Sequence, residues 1–391
     1  MLFSFAILFG AGLLLGKLCE KFKLPSLLGM LVAGILIGPY GLNALDKSVL
    51  DISAQLRKIA LIVILIRAGL NLDLADLKRA GRPAILMCFV PAVFEIAATT
   101  LLAPLVFPLS RLDAALAGCV LAAVSPAVIV PHMLKVMESG RGVKQSIPQM
   151  ILAGASADDI VVLVLFSVVL SMQSGQGVDL STFWRIPTSI GLGIAGGIAT
   201  GWLLLQGFKR WKLNPVEEVL VYLSVCFLLV TLEDTLNGPV AFSGLVATMA
   251  AGMVVARQNQ KKAKSLSTSF SSIWTMAQIV LFVLVGASVN VAFATRSFLP
   301  ALVLILGVLL VRMAGVWCCL LGTGLHRKEK AFCMIAYMPK ATVQAAIGAV
   351  PLSMGLACGE TILTIAVTAI LVTAPLGAFF IDRTYSSWLR L

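Results

Sequence analysis

The sequence predicts an all-α polytopic membrane protein with about 13 transmembrane helices. Of its 391 residues, 59% are hydrophobic and 12% are charged, and the mean hydropathy is +1.00. Water-soluble domains carry about twice this share of charged residues. The composition therefore excludes a soluble globular protein and a disordered chain.

Apolar segments of membrane-spanning length fill most of the chain. A bilayer core requires roughly 20 predominantly apolar residues per helix. Little length remains for connections, so residues 1–391 are predicted to form a single transmembrane unit. The predicted spans are 2–16, 25–42, 58–74, 83–106, 113–135, 147–171, 187–206, 216–232, 238–256, 273–294, 298–322, 331–354 and 361–381.

The basic residues indicate an orientation. Loops after odd-numbered spans, with the C-terminal tail, hold 21 of the 30 Lys and Arg residues, whereas loops after even-numbered spans hold six, including Arg57. Basic residues collect in cytoplasmic loops. We therefore expect an outside N-terminus and a cytoplasmic C-terminus in a plasma membrane, such as a bacterial inner membrane, with residue 2 onward retained as the first span. The net charge of +12 then requires no nucleic acid partner.

Cofactor chemistry has little support. The eight cysteines are scattered without a CxxC spacing, and the chain has only two histidines. This pattern is unlike a disulfide framework or a Cys/His metal site. No nucleophile–base constellation or cofactor motif is present, so we expect neither an enzyme nor a bound cofactor.

The two halves of the chain share motifs in the same order, seven helices apart. Because seven is odd, the second copy enters the membrane from the opposite side, which makes an inverted repeat. The repeats are predicted at about 1–172 and 216–384, joined by a linker helix at about 187–206. Inverted repeats with interrupted helices are typical of secondary transporters. The matching segments are 29–34 with 244–249, 65–72 with 284–291, and Ser125-Pro126 with Met338-Pro339.

Prolines predict a helix break in spans 5 and 12. Pro126 and Pro339 each remove a backbone donor and clash with the preceding turn, which would free carbonyls to face a cation. A simple proline kink is the alternative, but the pairing of the breaks across the repeat favours a functional role.

Asp158 and Asp159 lie about halfway along span 6. An ionised carboxylate at that depth must be paired, protonated or bound to a cation. Because two close carboxylates repel each other, such a pair can exchange a proton for a hard monovalent cation. A structural salt bridge is the alternative. Further oxygen donors to the ion are Ser125, Ser156, Thr342 and Gln344.

Four other ionisable residues lie within spans. Lys340 follows Pro339 and is a plausible partner for Asp158, either as a proton carrier or in a permanent ion pair. Glu95 and Arg312 are each alone in matching spans, so we expect them to form a structural ion pair. Arg67 is close enough to a helix end to extend its charge to the interface.

Taken together, these motifs resemble the monovalent cation:proton antiporter superfamily, and specifically the NHA branch of sodium/proton exchangers. The resemblance covers nearly the whole chain. It rests on Val124–Pro131, on Ala157-Asp158-Asp159 and above all on the run Pro339–Gly348.

The resemblance implies an NhaA-type fold with two crossing broken helices, and homodimers. A transport domain of spans 3–6 and 10–13 would move like an elevator against a dimerisation domain of spans 1–2 and 8–9. Asp159 would be the principal cation ligand, Asp158 its helper, with Lys340 close by. Electrogenic bacterial relatives have Lys where Arg312 stands, and other relatives have Asn for the first Asp, so the resemblance leaves the stoichiometry open.

Three functions remain as alternatives. The first is Na⁺(Li⁺)/H⁺ antiport, and the second is K⁺/H⁺ antiport by the same architecture. The third is Na⁺-coupled symport of an organic anion, for which two adjacent carboxylates are a poor host. A channel is more distant, because no run of filter-like carbonyls and no ring of like charges is evident.

Overall fold

The structure, a computed structural model, describes residues 1–71, 74–173, 180–211, 213–236 and 242–391, with the side chains of 74–80, 156, 157, 160, 180–187 and 234 excepted. Across these ranges the secondary structure is entirely helical. The predicted spans 58–74 and 238–256 each include residues outside the description, namely 72–73 and 238–241.

The helices follow one another with short connections. In chain order they are α1 (Leu2–Lys21), α2 (Ser26–Ile37), α3 (Lys47–Asp51), α4 (Ser53–Asn71), α5 (Leu74–Met87), α6 (Val90–Val106), α7 (Arg111–Ala122), α8 (Pro126–Glu138), α9 (Ile147–Gln173), α10 (Leu180–Arg210), α11 (Pro215–Thr235), α12 (Gly244–Gln258), α13 (Gln260–Ala287), α14 (Val291–Cys319), α15 (Arg327–Ala336), α16 (Thr342–Ile347), α17 (Val350–Ser353) and α18 (Gly359–Trp388).

Within the described ranges, eight helical stretches are long and apolar enough to cross a membrane, and three shorter apolar helices accompany them. The chain is therefore a multi-pass membrane protein. Several predicted spans contain helix boundaries: 83–106 contains that between α5 and α6, 113–135 contains that between α7 and α8, and 331–354 is divided among α15, α16 and α17. The total of thirteen crossings and the inverted relation of the halves stay predictions.

Several predicted boundaries are wrong; α13, for instance, begins at Gln260 and not at 273. Helix α4 begins at Ser53, so Arg57 lies within it and is only 4% exposed, where the sequence analysis placed Arg57 in a loop. Helix α13 ends at Ala287, well before the predicted end at 294, because Asn290 caps α14 by accepting a hydrogen bond from the Phe293 N–H at 3.2 Å. Apolar composition continues through this junction, so hydropathy alone misses it.

The chain divides into two compact units. The first comprises Met1–Arg57, Ala75–Leu170 and Ile279–Leu391, and the second comprises Lys58–Leu74 and Ser171–Gln278. In the first unit, α6 packs against α7 and α14, and α14 packs against α18. In the second, α12 packs against α10 and α11. The predicted transport and dimerisation domains concern movement and assembly, and they stay predictions.

Two glycines bring α2 and the last turns of α13 into close contact in the first unit. A Cβ atom at Gly34 would lie 1.9 Å from the Val283 carbonyl oxygen, and one at Gly286 would lie 2.1 Å from the Leu31 carbonyl oxygen. Small residues allow helix backbones to approach in this way where apolar surface on its own gives no driving force within lipid.

Candidate functional site

The first helix break lies between α7 and α8. Helix α7 ends at Ala122, and the chain is extended at Ala123 (φ −72°, ψ 142°) and Ser125 (φ −90°, ψ 109°) before α8 begins at Pro126. Proline is favoured at a first helical position, because its missing N–H has no intrahelical partner there and its φ is already helical. Pro126 thus starts a new helix rather than bending an existing one.

The second break lies between α15 and α16. Helix α15 ends at Ala336, five residues follow outside regular helix, and α16 begins at Thr342. Pro339 occupies the middle of this segment, where its ring and its missing donor prevent the helix from continuing. Residues 338–345 are all buried, so the irregular backbone is enclosed by protein, as membrane depth requires.

The two breaks are hydrogen-bonded to each other. The Ser125 N–H donates to the Pro339 carbonyl at 2.9 Å, and the Thr342 N–H lies 3.4 Å from Ser125 Oγ. The hydroxyls of Ser125 and Thr342 are also 3.4 Å apart. Gln344 Nε2 donates to the Ala123 carbonyl at 2.8 Å and to that of Leu121 at 3.2 Å. The structure therefore brings together Ser125, Pro126, Pro339, Thr342 and Gln344.

Arg312 holds the ends of both broken helices. Its Nε donates to the Tyr337 carbonyl just beyond α15 at 2.9 Å, and its Nη1 donates to the Ala122 carbonyl at the end of α7. Unpaired carbonyls make a helix C-terminus partly negative. One buried guanidinium thus stabilises two C-terminal ends at once.

Arg312 also pairs with two acids. Its Nη1 lies 2.6 Å from Glu95 Oε2, and its Nη2 lies 3.0 Å from Asp158 Oδ2. The structure thus brings the predicted partners Glu95 and Arg312 together, but not as an isolated pair. Among the described residues Lys340 makes its ion pair with Glu95, Nζ to Oε2 at 2.6 Å, and not with Asp158 as the sequence analysis expected. Arg312 pairs with Asp158 instead, because its planar guanidinium reaches both Asp158 and Glu95, whereas the Lys340 ammonium is a point charge.

Only one carboxylate oxygen of Asp158 accepts hydrogen bonds from described residues. Its Oδ2 accepts hydrogen bonds from Arg312 and from the Val124 N–H at 3.0 Å, a donor freed by the break before Pro126. Its Oδ1 is buried and has no hydrogen-bond partner in the described part of the chain.

Asp159 lies in the same buried region of α9 without such support. It is 3% exposed, and its Oδ1 is buried without a hydrogen-bond partner in the described ranges. No ion pair of Asp159 with a described residue is present, whereas Asp158 and Glu95 both have one. Two acids and two bases thus balance in this cluster, and Asp159 is a third acid beyond that balance.

Arg67 and His132 make their contacts with other residues. The side chain of Ser156 is outside the described part of the structure. The Arg67 guanidinium lies over the Trp274 ring, 5.8 Å from its centroid, within the second unit. His132 Nδ1 is 2.6 Å from the Val128 carbonyl oxygen, and its Nε2 is 3.8 Å from Asp382 Oδ2.

A family model described as the transmembrane sodium/hydrogen exchanger matches residues 5–384. The chain belongs to the sodium/hydrogen exchanger family. The resemblance to monovalent cation:proton antiporters drawn from the sequence motifs is thereby confirmed. Membership also places the chain among transmembrane transporters rather than enzymes.

Similar proteins cover almost the whole of this exchanger-family chain. It is 33% identical to human sodium/hydrogen exchanger 9B2 over 401 residues, covering 97% of the chain and 74% of that relative. It is 32% identical to human sodium/hydrogen exchanger 9B1 over 399 residues, covering 96% and 76%. The fold matches that of the sodium proton antiporter MjNhaP1 from Methanocaldococcus jannaschii at pH 8, with a TM-score of 0.85, 22% identity and 98% of each chain covered.

Sequence reasoning missed several members of the cluster in this exchanger-family protein. The backbone groups of Ala122, Val124 and Tyr337 carry no side-chain signal. The prolines at 126 and 339 mark breaks where such groups become free, and this was the only indication available. The Thr373 hydroxyl, which accepts from the Lys340 N–H at 2.9 Å, is one of many threonines in apolar helices and gave no signal.

Proposed function

We propose that this protein is a secondary active Na⁺(Li⁺)/H⁺ antiporter in which a proton and a monovalent cation compete for Asp159. The observation that carries the proposal is the burial of Asp159 beside a cluster whose other charges are already paired. Family membership supports cation/proton exchange; the choice of ion and the roles of individual residues are our inference.

The charges of the cluster suggest what Asp159 must bind. Arg312 and Lys340 neutralise Glu95 and Asp158, with nitrogen–oxygen distances of 2.6 to 3.0 Å. An additional ionised carboxylate in a water-poor interior is strongly disfavoured. Asp159 is therefore neutralised either by a proton or by one monovalent cation, and the two exclude each other.

Unpaired oxygens of the acidic pair and of the contact between the helix breaks suit a hard cation. Asp158 Oδ1, Asp159 Oδ1 and Gln344 Oε1 are buried and lack hydrogen-bond partners in the described ranges. Carboxylate and amide oxygens are preferred ligands of hard cations. In our proposal Asp159 is the principal ligand, and Asp158, held in place by Arg312, assists. Lys340 acts next to them by compensating Glu95.

The hydrogen bonds that join the two helix breaks to Arg312 and its partners support alternating access by a moving body. Arg312 joins α14 to the ends of α7 and α15, and through Glu95 and Asp158 to α6 and α9. Helices tied in this way move together more readily than they separate. We therefore propose elevator-type movement of a transport domain that includes these helices, within a homodimer in the plasma membrane, with the N-terminus outside and the C-terminus in the cytoplasm.

K⁺/H⁺ antiport and Na⁺-coupled symport of an organic anion are the alternatives. An excess acid beside a balanced cluster repels an anion, which argues against the symporter. The discrimination between Na⁺, Li⁺ and K⁺ is left to measurement.

Proton flux in liposomes tests the proposal. Addition of Na⁺ or Li⁺ should dissipate a preset proton gradient with wild-type protein, and Asp159→Asn should abolish this response. Asp382→Asn serves as the matched control, because it removes an exposed carboxylate that pairs with Lys135 at 2.9 Å away from the cluster, and it should retain exchange. Equal dissipation by Asp159→Asn, or a response to K⁺ alone, would contradict the assignment.

A further inference from the structure

The hydroxyl of Tyr337 is a buried polar group that none of the roles above uses. Tyr337 follows the last residue of α15 and is 0% exposed. Its Oη has no hydrogen-bond partner in the described part of the chain. Buried hydroxyls are nearly always paired with protein or water, so we expect this hydroxyl to bind a water or a ligand.

Arg312 fixes the rest of the Tyr337 residue. Its Nε bonds the Tyr337 carbonyl at 2.9 Å, and its guanidinium carbon lies 5.6 Å from the centroid of the Tyr337 ring. The ring is thus held at both its backbone and its face, so the direction of the hydroxyl is set by the same arginine that holds Asp158.

The hydroxyl points at α9, one turn before Asp158. A Cβ atom at Gly154 would lie 2.1 Å from Tyr337 Oη, so only glycine leaves room for the hydroxyl there. Gly154 and Asp158 are four residues apart and therefore share a helix face. Asp158 Oδ1 likewise has no partner in the described ranges.

We propose that Tyr337 is a positioning residue for the transported cation, whose hydroxyl and Asp158 Oδ1 together hold one water of the partly hydrated ion. The proposal deepens the antiporter function above and rests on it. One helical turn advances about 5.4 Å, and two O–H···O hydrogen bonds of about 2.8 Å span a similar distance. In the proposed arrangement a single water bridges the two oxygens, and its remaining lone pair faces a cation at Asp159.

Apparent affinity for Na⁺ tests this role, because a water-mediated contact affects binding of the ion more than movement of the carrier. At one fixed alkaline pH, Tyr337→Phe should raise the apparent KM for Na⁺ about two- to tenfold, the range expected for one hydrogen bond, with little change in maximal rate. Tyr222→Phe is the matched control. Tyr222 is also 0% exposed and its hydroxyl also lacks a partner in the described ranges, but its ring packs against Phe270, with 5.7 Å between the ring centroids, so its loss should leave KM unchanged.

A double substitution tests the geometry independently of transport. Gly154→Ala should lower the thermal midpoint of the purified protein, because its Cβ meets the Tyr337 hydroxyl. Adding Tyr337→Phe removes the atom at 2.1 Å and should restore most of that loss, leaving the contact with Met87 Cβ at 3.1 Å. Gly154→Ala should also raise KM, and the double variant should have the KM of Tyr337→Phe alone.

The outcomes separate this inference from the proposed function. Absence of cation-dependent proton flux in the wild type would refute the antiporter assignment itself. Wild-type exchange with an unchanged KM in Tyr337→Phe, or a fall in stability and maximal rate without a change in KM, would overturn the role of Tyr337. No restoration in the double variant would overturn the contact with Gly154.

Discussion

Arg312 Nη2 donates to Asp158 Oδ2 at 3.0 Å, and this bond joins the conspicuous acidic pair of α9 to the two helix breaks. The same guanidinium reaches Glu95 and the carbonyls of Ala122 and Tyr337. Asp158 is thereby tied to the helix breaks, whereas Asp159 beside it has no ion pair with a described residue.

Substitution of Arg312 should be among the most destabilising changes in this protein. Arg312→Gln leaves two acids against Lys340 alone, and removing one partner of a buried ion pair costs about 3–5 kcal/mol. Arg312→Lys keeps the charge but cannot reproduce the fork, so it should be intermediate. Thermal unfolding of the purified variants measures the effect.

Arg57→Gln is the control for that series. Arg57 is also buried, at 4% exposed, but the bond it makes to a described side chain is a single one, to Ser288 Oγ at 3.1 Å. It should lower the thermal midpoint by less than Arg312→Gln. Equal losses in the two variants would contradict the role given to Arg312.

The charge balance predicts electroneutral exchange. Two acids face two bases, and Asp159 carries one further negative charge when ionised, so one proton is released for each cation bound. Proton flux in liposomes should therefore be the same with the membrane potential clamped at zero and at an inside-negative value.

A flux that grows with the applied potential would mean that a second proton is carried. Lys340 is then the group to examine, because it is the one base of the cluster able to lose its proton in a protein, arginine being always charged.

A pH-dependent ion pair between Glu329 and Arg390 holds the C-terminal segment, outside the predicted spans. Glu329 is 0% exposed and accepts from Arg390 Nε and Nη2, each at 2.8 Å. Burial raises the pKa of Glu329, but the hydrogen bonds from Arg390 and the His326 N–H outweigh it, so the pKa lies below its ordinary value. A depressed pKa stabilises the fold above the unfolded-state value of about 4.3, and this contribution is lost as the pH falls through the folded value.

Glu329→Gln should therefore lower the thermal midpoint at pH 7, and the difference from wild type should shrink below about pH 4. Hydrogen bonds to a charged group contribute about 1.5–3 kcal/mol, and the half-exposed Arg390 places the effect at the lower end. Glu138→Gln, an exposed acid at the end of α8, is the control and should change little. A difference that persists unchanged at acid pH would refute the ionic origin.

The sequence identified the members of the charged cluster more readily than their pairing. Glu95, Asp158, Asp159, Arg312 and Lys340 are conspicuous because ionisable residues are rare in apolar helices. Which base meets which acid depends on how α6, α9 and α14 pack, and one-dimensional spacing does not contain that information. Lys340 was therefore assigned to Asp158, although it binds Glu95.

Helix ends were predictable where a residue type imposes them and not elsewhere. Pro126 and Pro339 predicted the breaks, because proline has no backbone N–H to donate. The end of α13 at Ala287 was missed because the cap by Asn290 lies inside continuous apolar sequence. Tyr337 was missed because its importance comes from a glycine opposite it, 183 positions away in the sequence.

Main-chain atoms form much of the contact between the two helix breaks. Ser125 N–H bonds the Pro339 carbonyl directly, and the Ala122 and Tyr337 carbonyls are held by Arg312. Replacing a side chain next to Asp159 leaves this peptide framework unchanged. The cation preference should therefore be open to redesign around the carboxylate without a new architecture having to be built.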